Sequence, residues 1–112
     1  MKFTAEKIDD IIVVLVNLKR ATYRDAEEFK YEVKNYIDKG FLKIIIDLNE
    51  CEFMDSTFLG TLVFNLKTIS RLGGNLIICS PHSDARAILE ITGAVNIFDI
   101  YETRSAALES FE

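Results

Sequence analysis

The chain has 112 residues, 49% of them hydrophobic and 28% charged, enough apolar material for one ordinary core. Its 18 acidic side chains outnumber 13 basic ones, and the net charge of -5 argues against a nucleic-acid backbone or an anionic membrane surface as partner, and for a partner with a basic patch. Two cysteines without metal-ligand spacing and a single histidine argue against a metal site, and the longest apolar run, Ile11 to Val16, is far too short to cross a bilayer.

The first residues, Met1 to Glu6, lack the apolar core and cleavage site of a signal peptide, so the expected location is the cytoplasm. They alternate weakly, and after a polar stretch the β-branched run Ile11–Val16 follows; this predicts two strands joined by a turn at Asp9-Asp10. Between Ala21 and Lys39, Ala26, Phe29, Val33, Tyr36 and Ile37 recur at helical spacing before Gly40, which predicts an amphipathic helix with a glycine stop. Lys43 to Leu48 is apolar on successive residues, the pattern of a strand covered on both faces and hence of the sheet centre.

A second helical stripe begins near Ser56 with Leu59, Leu62, Val63, Leu66, Ile69 and Leu72 and stops at Gly73-Gly74. Asn75 to Cys79 predicts a strand, Ser80-Pro81-His82 a turn, Ser83 to Thr92 a short helix and Phe98 to Tyr101 a last strand, with Thr103 capping a final helix. Strands alternating with helices imply an α/β fold: a mixed, mostly parallel sheet of about four to five strands with about four helices, packed mainly on one face. Residues 1–112 are expected to form a single domain, with no linker or repeat between them.

Asp55, Ser56 and Thr57 stand where the second helix begins, and each is a residue type that caps helices by accepting from the open N–H groups of the first turn. Ser56 reads as a good cap. A phosphate there would meet the positive end of the helix dipole while changing the charge that a docking protein encounters. Hydrolytic chemistry has little support, because His82 lies in a turn far along the chain, and neither a nucleophile-elbow turn nor a phosphate-binding glycine loop is present. Asp47, at the end of the central strand, is expected to accept hydrogen bonds from loop amides.

The segment Phe53-Met54-Asp55-Ser56-Thr57-Phe58-Leu59-Gly60-Thr61-Leu62 resembles the Met-Asp-Ser-Ser-Gly-Leu-Gly signature of STAS domains, specifically the bacterial anti-sigma factor antagonists. The likeness extends to the strands on either side, Lys43 to Leu48 and Gly74 to Cys79. It continues through Ile88-Leu89-Glu90-Ile91-Thr92-Gly93, Ile97-Phe98-Asp99-Ile100-Tyr101 and Ala106-Ala107-Leu108. The resemblance implies a protein that binds an anti-sigma factor which is also a serine kinase, and so frees a sigma factor. The kinase phosphorylates the first serine of the signature and ends the binding; a metal-dependent, PP2C-type serine phosphatase restores it.

By motif position the phosphoacceptor is Ser56, flanked by Asp55 and Thr57. The implied partner-binding surface further takes in Phe58, Gly60, Thr61 and Phe64, with Lys19 and Thr22 ahead of the first helix. No cofactor is implied, and a monomer is the default, a dimer the other option. The chain departs from the pattern at three places: Phe58 replaces a glycine and is expected at the edge of the kinase-facing surface, Lys19 stands near a usually acidic position, and Phe64 falls off the apolar stripe and is expected to be exposed. The alternative implied function is a STAS module that senses a ligand or acts as a scaffold in a signalling complex without phosphorylation.

Overall fold

A computed structural model describes residues 1–112. The β-branched runs form the sheet. β1 (Phe3–Ile8) and β2 (Ile11–Val16) make an antiparallel hairpin through Asp9-Asp10, where Asp9 adopts a left-handed φ of 55°, a conformation aspartate tolerates better than most residues. β4 (Lys43–Asp47), β6 (Asn75–Cys79) and β7 (Ile100–Tyr101) add parallel to β2, giving the order β1-β2-β4-β6-β7. Ile44, Ile45 and Ile46 at the middle of β4 are each 0% exposed, so the expected central strand is central.

Parallel neighbours need crossovers, and helices supply them. α1 (Tyr23–Asp38) lies between β2 and β4, α2 (Ser56–Arg71) between β4 and β6, and α3 (Ser83–Ile91) followed by a 3-10 turn (Ala94–Asn96) between β6 and β7. Because side chains alternate along a strand, Ile12, Val14, Ile44, Ile46, Leu76 and Ile78 face one way and join Phe29 and Val33 of α1, Leu62 and Ile69 of α2 and Leu89 of α3 in the main core. Ile11, Val13, Ile45 and Ile77 face the other way and are covered by Ala107 of α4 (Arg104–Ser110), with Leu108 and Phe111. The expected architecture therefore stands, with three helices on one face and α4 on the other.

Two elements had no signature in the sequence. β3 (Arg20–Ala21) and β5 (Phe53–Met54) pair in parallel as a separate two-stranded ladder, too short for any periodicity to register. The last strand is also shorter than expected, Ile100–Tyr101 rather than Phe98–Tyr101. At the end of α2, Gly73 takes a φ of 84°, and a Cβ on Gly74 would sit 2.5 Å from the Leu42 carbonyl oxygen, so both glycines of the pair are required.

Candidate functional site

The β3–β5 ladder brings the loop after β2 against the loop after β4. The Lys19 carbonyl accepts from the amides of Glu52 and Phe53 at 2.9 and 3.0 Å, and the Asp55 amide donates to the Ala21 carbonyl at 3.0 Å. Arg20 lies over the ring of Phe53, its guanidinium carbon 4.4 Å from the centroid. These contacts set the first turns of α1 and α2 side by side.

Asp55 is the cap of α2, and Ser56 is the first residue inside the helix. One Asp55 carboxylate oxygen accepts from the Phe58 amide at 2.9 Å, and the other from the Tyr23 amide at the start of α1 at 2.8 Å. Ser56, expected as a cap, thus yields that role to its neighbour, because a cap requires extended backbone and Asp55 alone has it, with φ -90° and ψ 174°. The consequence for Ser56 is freedom: its side chain is exposed and its hydroxyl makes no hydrogen bond within the chain. The Ser56 and Thr57 amides are two orphan donors of the first turn and leave this end of α2 open.

Thr22 sits beside this opening but is committed to α1. Its hydroxyl accepts from the Arg24 amide, and Asp25 reciprocates on the Thr22 amide at 3.0 Å, a complete capping box. Lys19, Thr57 and Gly60 are exposed, and Phe64 is 38% exposed with the Lys30 ammonium 4.2 Å from its ring centroid. Tyr23, 63% exposed, belongs to the same surface; nothing in the sequence places it there, since its link to Asp55 spans 32 residues.

Two expected surface residues are interior. Phe58 is 0% exposed and closes an aromatic cluster, its ring centroid 4.6 Å from Phe29 and 6.5 Å from Phe3. The helix turns its third residue inward, so the ring that replaces glycine fills core rather than meeting a partner. Thr61 is 7% exposed, and its hydroxyl donates back to the Phe58 carbonyl at 2.7 Å, which leaves it nothing to offer at the surface.

His82 lies away from Ser56: its ring meets the Asn49 carbonyl across the loops that follow β4 and β6. Asp47 accepts from the Asn49 amide at 2.9 Å, as expected of a strand-end aspartate, and also from Arg104 at 3.1 Å, 57 residues away. Around them a polar cleft of about 570 Å³ opens, lined by Asp47, Asn49, Ser80, His82, Thr103 and Arg104 among others. Neither thiol is poised for chemistry. Burial pushes Cys51 up, and it pushes Cys79 up to about 11, with the Asp47 charge adding to the effect.

The family model for the STAS domain matches residues 2–107. The chain belongs to the STAS-domain family. A Thermotoga neapolitana relative, named as a candidate anti-sigma factor antagonist, is 33% identical over 111 residues, covering 98% of this chain and 97% of its own. The crystal structure of a Thermotoga maritima protein with the same description is 34% identical and superposes with a TM-score of 0.91, over 96% of this chain and 92% of that one. The fold is also that of the anti-sigma factor antagonist SpoIIAA, at 18% identity: its unphosphorylated form gives a TM-score of 0.84 over 97% of this chain and 95% of that one, and the phosphorylated form from Bacillus 0.77 over 98% and 99%. These relatives are named as anti-sigma factor antagonists, and in this STAS domain no helix is long and apolar enough to cross a membrane.

Proposed function

We propose that this STAS domain, residues 1–112, is an anti-sigma factor antagonist of the cytoplasm. It binds an anti-sigma factor that is a serine kinase, releases a sigma factor, and is switched off when that kinase phosphorylates Ser56. A PP2C-type serine phosphatase resets it. The observation that carries this reading is the state of Ser56: an exposed hydroxyl with no internal partner, at the first position of a 16-residue helix whose cap is already supplied by Asp55. A phosphate there brings close to two negative charges to open amides and a helix dipole that tolerate them, and alters the surface without disturbing the core. Asp55, Thr57, Gly60, Phe64 and Lys19 are the neighbouring residues a kinase would meet.

Incubation of the protein with candidate anti-sigma kinases and ATP tests the reading by intact mass. One added phosphate is expected, mapped to Ser56 and absent from Ser56→Ala. If no kinase adds phosphate, and binding is indifferent to both Ser56→Ala and Ser56→Asp, the switch is wrong. The polar cleft around Asp47 and Arg104 would then favour the second reading, a STAS module that senses a small polar ligand without phosphorylation.

A further inference from the structure

Gly60 sits in the fifth position of α2, is exposed, and has ordinary helical backbone. A Cβ built on it would meet nothing within 4 Å, so no internal packing requires a glycine. A glycine inside a helix nevertheless weakens it relative to alanine, and the fold offers no compensation. What a missing side chain permits is close approach of another main chain from outside.

Ser56, Gly60 and Phe64 fall on one stripe of α2 at successive four-residue steps, with Lys67 one turn further. α2 contains no Asp or Glu, only Lys67 and Arg71 as charges. Lys30 reaches over from α1 onto Phe64, and its backbone carbonyl is tied to α2 through the Asn65 side-chain amide at 3.4 Å. None of Lys19, Arg24, Lys30, Lys67 or Arg71 makes an ion pair, whereas Lys2 neutralises Asp25 and Glu28 at 3.1 and 3.6 Å and Lys34 neutralises Asp38 at 2.9 Å. Of the α1 carboxylates, Glu27 is unpaired on the adjacent stripe with Tyr23 and Tyr31, and Glu32 is half-buried. On a chain of net charge -5, the outer face of α2 is therefore a local cationic strip.

We propose that the partner lies along this strip, its main chain against Gly60 and an acidic segment against Lys30 and Lys67. The proposal rests on the phosphorylation switch and specifies it. A phosphate on Ser56 puts a dianion at the head of an otherwise cationic stripe, and an acidic partner is driven off by like charge. It also reverses the expectation from net charge, which favours a basic partner.

The test uses the kinase that labels Ser56 and measures its affinity for the unphosphorylated full chain. Lys30→Glu and Lys67→Glu are each expected to weaken binding about tenfold, and raising salt from about 0.05 to 0.5 M should weaken the wild type by a similar factor while affecting the double reversal far less. Gly60→Ala and Gly60→Leu should raise the melting temperature while weakening binding, the leucine more. Unchanged or tighter binding by the two charge reversals, or wild-type affinity for both Gly60 variants, overturns the proposal even though Ser56 is still labelled. Failure of every kinase to bind or label the chain removes the switch and this proposal together.

Discussion

Asp55 accepts the backbone amide of Tyr23 at 2.8 Å, so that a single carboxylate at the start of α2 also holds the start of α1. Its second oxygen caps α2 itself at the Phe58 amide, 2.9 Å away. Two helix N-termini thereby converge on one side chain, with Ser56 directly after it in the chain. The residue before Ser56 is thus the structural one.

Asp55→Ala leaves both amides to water and should lower stability by about 2 kcal/mol, the upper end for loss of a cap. Asp55→Asn keeps an acceptor oxygen and should cost about half as much or less. Urea unfolding of the two variants checks the ratio; a loss for Asp55→Asn as large as that for Asp55→Ala would mean that one retained acceptor oxygen is not enough to hold either helix start.

Ser56 should behave in the opposite way. Ser56→Ala removes no hydrogen bond and should change stability by less than about 0.5 kcal/mol. Ser56→Asp places a negative charge in the first turn and should stabilise by about 0.3–1 kcal/mol at low salt, an effect that added salt removes. Thermal melts of these variants separate the switch from the cap, since Ser56→Asp is nonetheless expected to bind the kinase more weakly. A marked fall in melting temperature for either variant would return the capping role to Ser56.

The two phenylalanines of α2 make a paired comparison. Phe58→Ala opens a cavity between Phe3 and Phe29 and should cost about 3–5 kcal/mol, enough to threaten folding of a domain this size. Phe64→Ala removes a ring shared between solvent and Lys30 and should cost less than about 1 kcal/mol. Chemical denaturation measures both; similar costs would contradict the burial of Phe58.

The Cys79 thiol is raised from 9.0 to about 11 in the folded chain, chiefly by burial. Its contribution to stability is complete below the lower value, because folded and unfolded thiols are then both protonated. Between the two values the unfolded thiol ionises and the folded one does not, so the unfolded state gains and stability falls as pH rises. Urea midpoints across pH 8 to about 11 should therefore decline less steeply for Cys79→Ala than for wild type. Below that range, a pulse of alkylating reagent should leave Cys79 and Cys51 unlabelled until the chain unfolds, since both are 0% exposed.

The local pattern of the sequence was sufficient for the order of the main strands and helices. Period-two and unbroken β-branched runs set the strands, three-and-four spacing set the helices, and Gly40, Gly73 and Gly93 ended them, each with positive φ. The likeness of Met54-Asp55-Ser56 to the family signature pointed to the candidate site. These are signals carried by neighbours in the chain, where one helical turn or one strand repeat is enough to express them. Which of Asp55 and Ser56 caps the helix, that Phe58 points inward, and that Tyr23 and Lys30 share the surface of Ser56 and Phe64 were decided by tertiary structure. The physical reason is distance along the chain: the β3–β5 ladder pairs only Arg20 with Phe53 and Ala21 with Met54, too few residues to show a period, yet that contact sets α1 beside α2. Net charge is blind to such placement for the same reason, because -5 sums over the whole chain while folding alone sets which cations are left unpaired along α2.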